Sequence, residues 1–412
     1  MVEQSKALEG LRAFSMSRIC LWLVRTISFG GVGLLIVGIA IQFVTPGAPR
    51  HLQLVQDVAL PTIVIPPAGQ RLPQAIRSDR FDFQALDPQT GLLFIAHPGP
   101  SAAKLAILQE LLPANTQFKT TVVVFNTRTN QYVGSLAIPF VHGITVASAL
   151  HRVYAADADE SKIYVIDEST CKTRAVSGQD ACRVVAQIKA TQTPDGLEYD
   201  PALQEVFVAE PGDKTPPEGV EDVIDAQTNK IIQTVHLGTD VGHTRYDPVS
   251  HRIFVIAVTD KNSELVAIEP STGRVGPHTI LPAACNNAHG LILDSQQQVA
   301  FAACVDSQNL VMIDMRAMKV IGDVTNLQEV GVKPDILAID HGYHLLYVAS
   351  STSISIFDER EAANGILHKV GDFIISSSSS HTIAVDDTTH NIFIALTDVG
   401  GRPIMRVERY NP

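Results

Sequence analysis

Aromatic residues make up only 6% of this 412-residue chain, and tryptophan occurs once. Positive charge is scarce as well: 31 Lys+Arg face 43 Asp+Glu, a formal net charge of −12. Phosphate backbones demand a concentrated basic surface, so nucleic acid is not expected as a partner. Catalytic signatures are also missing. No G-x-S-x-G marks an activated serine, no G-x-x-x-x-G-K-[ST] marks a nucleotide phosphate, and no C-x-x-C or H-E-x-x-H supplies ordinary metal-ligand spacing. What remains is 45% hydrophobic and 18% charged, enough to bury a large core. Short Val/Ile/Phe/Tyr runs separated by Asp-Pro, Thr-Gly and Asn turns favour an all-β body.

One segment departs from this pattern. "ISFGGVGLLIVGIAIQFV", residues 27 to 44, carries no charge and as a helix would span roughly 27 Å, the thickness of a bilayer core. Lys6, Arg12, Arg18 and Arg25 precede it and Arg50 alone follows closely, so the N-terminus is expected in the cytoplasm and the rest across the membrane. Pro49 directly after Ala48 is a poor cleavage context, which favours a single-pass anchor over a removed signal peptide. The glycines of "SFGGVG" suit helix packing within the bilayer better than nucleotide binding.

The five cysteines fit the same compartment. Cys171 and Cys182 flank a short loop, Cys285 and Cys304 bracket a predicted strand pair, and Cys20 lies beside the apolar run. Two disulfides with one cysteine left over suit an oxidising, extracytoplasmic setting; five buried thiols are the competing reading.

The residues that close the first strand of each unit, Asp87, Ala147, Asp200, Asp247, Asp294, Asp340 and Asp386, are spaced by 60, 53, 47, 47, 46 and 46. Near-equal spacing of this length marks a propeller or a solenoid. One unit, "HTRYDPVSHRIFVIAVTDKNSELVAIEPSTGRVGPHTILP", divides into four short strands. Seven such units describe a seven-bladed β-propeller of four-stranded blades. The last unit has only three strands, so "HLQLVQDVALP", 51 to 61, is expected to close it. The chain then divides into a cytoplasmic segment 1–26, the anchor 27–44, a Pro-rich connector 45–79 containing the closing strand, and the propeller 80–412.

Stretches such as "RVYAADADESKIYVIDESTCKTRAV", "EVFVAEPGD", "DVIDAQTNKIIQTVHLG", "ELVAIEPSTGRV" and "LLYVASSTSISIFDER" resemble the YVTN-type β-propeller repeat family over roughly residues 80 to 410. The four-letter signature itself is replaced by "YAAD", "FVAE" and "YVAS". The resemblance implies an extracytoplasmic seven-bladed propeller and no single chemistry.

Each unit carries a His or Asp leading into its first strand: Asp82, His142, Asp195, His243, His289, Asp335 and His381. In a propeller these positions gather at one mouth of the central channel. His97, Asp157, Glu210, Asp260, Asp306 and Asp398, at the ends of second strands, are expected on the same face. His142, His243, His289 and His381 are candidate ligands for a divalent metal such as zinc, and His97, Asp82, Asp195 and Asp335 are candidate ligand-binding groups. The bland alternative is that Asp and His cap turns at equivalent points of a repeat. "HGYH", His341 to His344, falls at a turn of the opposite face and reads as solvated.

Insertions cluster on the ring face: "HPGPSAAKLAILQELLPANTQFKT", 97 to 120, with a helical pattern; "EPGDKTPPEGVED", 210 to 222; and "SSSSS", 376 to 380. The first is a candidate lid, or else a helix covering a blade edge. Two functions follow. The preferred one is a membrane-anchored scaffold that binds a protein or small organic ligand on this face without chemistry. The alternative is a metal-dependent lyase or hydrolase with its His/Asp site at the channel mouth.

Overall fold

The computed structural model describes residues 52–65, 80–99, 102–113, 115–172, 180–212, 217–375 and 380–411. The anchor expected over 27–44 lies outside the described residues, as does most of the Pro-rich connector. Among the described residues no helix is long and apolar enough to cross a membrane.

Seven antiparallel sheets stand around one axis. Their innermost strands, in chain order, are Gln84–Asp87, Val141–Ala147, Leu197–Asp200, Asp240–Asp247, Ala288–Asp294, Leu337–Asp340 and Ala384–Asp386. Each adjoins the next, and the seventh adjoins the first. Three further strands complete each blade outward, as Arg252–Val258, Ser263–Glu269 and Arg274–Ile280 do in the fourth. The fifth blade has a broken outer edge, Lys319–Ile321 followed by Gln328–Glu329, both paired with Asn309–Asp314. In the seventh blade the outermost strand is Leu52–Ala59, running antiparallel to Arg402–Tyr410 from Leu52 opposite Tyr410 to Ala59 opposite Ile404. The chain is therefore an all-β, seven-bladed propeller with four-stranded blades.

Burial explains the sequence pattern. Second and third strands lie between neighbouring blades and are apolar on both faces; Val299–Cys304 is buried at every position. Outer strands alternate instead, as in Arg183–Lys189, because one face meets water. Seven apolar clusters fill the seven seams between blades, including the seam between the last and the first, so no blade face is left open.

The repeated Asp that closes the first strand is a turn device. Asp200 Oδ1 accepts the backbone N–H groups of Ala202 (2.7 Å) and Leu203 (3.2 Å), and Asp294 Oδ1 those of Gln296 (2.8 Å) and Gln297 (3.0 Å). A left-handed residue then leads into the second strand, Gln204 at φ 58 and Gln298 at φ 59. Two disulfides are formed, Cys171–Cys182 across a loop of the second blade and Cys285–Cys304 across the approach to the fifth.

Candidate functional site

In three blades the first strand does not pair regularly with the second. Register slips between Val141 and Ile144, between Val241 and Thr244, and between Ala288 and Gly290, so His142, His243 and His289 each sit in a bulge. The aspartate blades show the same two-against-one arrangement. Ala96 accepts from the Asp82 amide (3.0 Å) and donates to the Phe83 carbonyl (2.9 Å); Ala209 treats Asp195 and Gly196 alike, and Ala349 treats Asp335 and Ile336 alike. A bulge breaks the in-out alternation of a strand and re-aims one side chain.

Glycine sets how closely these bulges approach. A Cβ on Gly143 would lie 1.7 Å from the Asp195 carbonyl oxygen, and one on Gly290 would lie 1.9 Å from that of Asp335. Consecutive first strands thus meet backbone to backbone, which carries His142 to the Asp of the third blade and His289 to the Asp of the sixth.

The result is a connected ring. His142 Nδ1 stands 3.5 Å from Asp195 Oδ1 and 3.6 Å from Asp82 Oδ2, and Asp82 accepts a hydrogen bond from Arg80 at 2.8 Å. His289 Nε2 is 3.8 Å from Asp195 Oδ2 and 3.9 Å from Asp335 Oδ1. His243 Nε2 is 3.4 Å from the same Asp335 Oδ1, while the other oxygen of Asp335 is hydrogen-bonded to His381 Nδ1 at 2.6 Å. The His243 and His289 rings are 4.8 Å apart, and Phe83 covers His243 at 4.6 Å.

Charge follows from this geometry. Burial alone would raise Asp335, but the flanking imidazoles outweigh it and hold the carboxyl well below its ordinary value. Asp195 is lowered in the same way, against burial, chiefly by His142. His142 and His381 are raised, because Asp195 and Asp335 overcome the burial that would lower them. His243 goes the other way: it is fully buried, and burial lowers it.

Among the described residues, two sets of three ligand atoms lie within 4.8 Å of one another: His243, His289 and Asp335, and Asp82, Asp335 and His381. Asp335 belongs to both, and His142 to neither. His97 is wholly buried at the end of the second strand of the first blade and stacked on Phe81 at 4.3 Å. Asp157 and Asp398 cap turns, accepting the amides of Asp159 (3.0 Å) and Gly401 (2.8 Å). Asp260 and Asp306 are exposed. On the opposite face His341 pairs with Asp387 at 2.9 Å and His344 with Glu359 at 3.5 Å.

Sequence reasoning overlooked three contributors, Arg80, Phe83 and Asp222. Arg80, two residues before Asp82, anchors that carboxylate; Phe83 walls His243; and Asp222, buried beside the expected Glu210, helps it pin the approach to Asp195. Asp222 accepts from the Thr191 amide (3.0 Å) and hydroxyl (2.9 Å), and Glu210 from the Gln192 amide. Burial first, and then Asp222, push Glu210 up to about 9, so it carries a proton. Only the "RFDF" spacing around Asp82 could have hinted at Arg80 and Phe83.

No family model matches the chain, and no curated protein matches it. Many solved structures are similar in fold, two of them as follows. One is from hydrazine synthase of Kuenenia stuttgartiensis, with 14% identity over 82% of this chain and 98% of that chain, at a TM-score of 0.59. The other is from a mitotic checkpoint complex, with 9% identity over 94% and 99% and a TM-score of 0.60. At these identities the likeness is one of fold.

Proposed function

We propose that this protein is a membrane-anchored, extracytoplasmic propeller that binds a protein or small organic partner on the face carrying the His/Asp ring. One observation carries the reading. The insertion between the second and third strands of the first blade forms a helix, Ala102–Leu111, on which Ile107 and Leu111 are 61% and 63% exposed. Residues four apart share one helix face, so the two side chains form an apolar stripe with no core to cover it. By strand order that connection opens on the same face as the approaches to the first strands. The two disulfides suit an oxidising compartment, and the uncharged run 27–44 with bases before it supplies the anchor and its orientation. The checkpoint-complex neighbour fits protein binding on likeness of fold alone.

The test uses the full-length protein with a photocrosslinker at position 107. The crosslinked partner should disappear in an Ile107→Glu, Leu111→Glu variant whose thermal midpoint stays within about 2 °C, since exposed substitutions usually change stability by under about 0.5 kcal/mol. A partner captured equally by the variant would move the binding surface elsewhere. Protease protection in sealed membranes, with the propeller cut only from the cytoplasmic side, would reject the topology.

A further inference from the structure

We infer that His243, His289 and Asp335 form a divalent transition-metal site, with zinc as the favoured ion, whose remaining coordination position opens to the channel. This goes beyond the partner-binding reading and does not rest on it.

Three observations carry the inference. The first is convergence: His243 Nε2 and His289 Nε2 approach one oxygen, Asp335 Oδ1, at 3.4 and 3.9 Å. Ligand atoms bound tetrahedrally to zinc at 2.0–2.1 Å stand about 3.3 Å apart, so small movements would bring the three to a common ion. The second is unmet bonding. His243 Nε2 and Asp335 Oδ1 are both buried, and neither makes a well-formed hydrogen bond; they face each other across a long 3.4 Å contact. So long a contact recovers little of what burying both groups costs, and a cation between them satisfies both at once. The third is support from outside the triad. Asp335 gives its other oxygen to His381 at 2.6 Å, which fixes the carboxylate with Oδ1 turned toward the histidines, as outer partners of metal ligands do.

The donor set selects the ion. Two imidazoles and one carboxylate suit zinc or ferrous iron rather than magnesium or calcium, which prefer oxygen alone. Three protein ligands leave an open position, and the partly exposed His289 and Asp335 side chains, at 32% and 18%, mark its side. Such a position accepts water or an anionic or carbonyl group of a bound partner. One contact opposes tight binding. The Leu291 amide points at His243 Nδ1 from 3.4 Å, which puts the proton of the metal-free ring on Nε2. Metal uptake must move that proton to Nδ1 and push the amide away, so affinity should be micromolar rather than picomolar.

The full-length protein, stripped of metal, is titrated with zinc ions alone, by calorimetry and by competition with a chromogenic chelator. One equivalent should bind, and X-ray absorption should show nitrogen and oxygen neighbours near 2.0–2.1 Å. His289→Gln, a partly exposed substitution that spares the core, should weaken binding at least about tenfold. Asp335→Asn should do the same. His341→Gln, on the opposite face, should leave affinity unchanged. No stoichiometric binding in the micromolar range, or binding undiminished in His289→Gln and Asp335→Asn, overturns the site. The Ile107→Glu, Leu111→Glu variant should bind zinc normally, so failure of the partner reading and failure of the metal site are read separately.

Discussion

At the scale of single residues, the ring depends on two glycines as much as on its charged groups. Gly143 and Gly290 follow His142 and His289, and each faces a backbone carbonyl of the next blade that a methyl group would strike. Backbone cannot turn away as a long side chain can, so Gly290→Ala should force the first strands of the fifth and sixth blades apart. We expect a loss of about 1–3 kcal/mol or more from overpacking, measured by denaturant unfolding, together with weakened zinc binding because His289 and Asp335 separate. A variant as stable as the parent would mean that the strands have room to move. The His-Gly pairs were visible in the sequence, but their meaning was not. What each glycine touches lies 45 to 52 positions further along the chain, and only closure of the ring brings it near.

At the scale of elements, spacing and alternation made the seven four-stranded blades legible, because every blade buries the same faces and so repeats the same apolar runs. The bulges were not legible. A bulge is a mismatch between two strands, and neither strand's sequence alone records the register of the other. For the same reason the sequence grouped the four histidines by equivalent position, whereas the structure groups them by carboxylate: His243, His289 and His381 around Asp335, and His142 between Asp82 and Asp195. The outermost strand of the seventh blade, Leu52–Ala59, is tied to Arg402–Tyr410 by its ladder and by Asp57, whose two oxygens accept from Arg406 at 2.8 and 2.7 Å. Deleting residues 52 to 59 should expose an unpaired edge. The expected result is a thermal midpoint lower by several degrees and self-association on size-exclusion chromatography. Unchanged behaviour in both would show that three strands suffice for this blade.

At the scale of the whole molecule, stability should depend on protons held between blades. Glu168 and Glu359 are buried at equivalent seams, each sharing a hydrogen bond with the turn aspartate of the preceding blade, Asp87 and Asp294. Burial first, and then that aspartate, push Glu168 up to about 7 and Glu359 up to about 8. Glu221, fully buried, is pushed up to about 8 by burial. A carboxyl whose folded pKa lies above its unfolded value binds more protons when folded, so stability falls as pH rises from about 4.5 through 8. The folded ring should therefore be more stable at pH 6 than at pH 9. Glu359→Gln keeps a donor toward Asp294 without a proton to lose, and should recover roughly 1–2 kcal/mol at pH 9 while changing little at pH 5. Chemical denaturation at the three pH values decides it; a variant no better than the parent at pH 9 would remove the shared proton from the account.

The pairing of Asp57 with Arg406 joins positions 349 residues apart, and this has a consequence for synthesis. A ribosome adding about 5–20 residues per second needs roughly 20 to 70 s to span that interval. For all that time the early strand has no mate, while six blades can already stack behind it on the nascent chain. The latch is the first strand of the propeller to be made and the last to engage, so a stalled or shortened translation product would carry both a free strand and a free edge, each able to find the wrong neighbour.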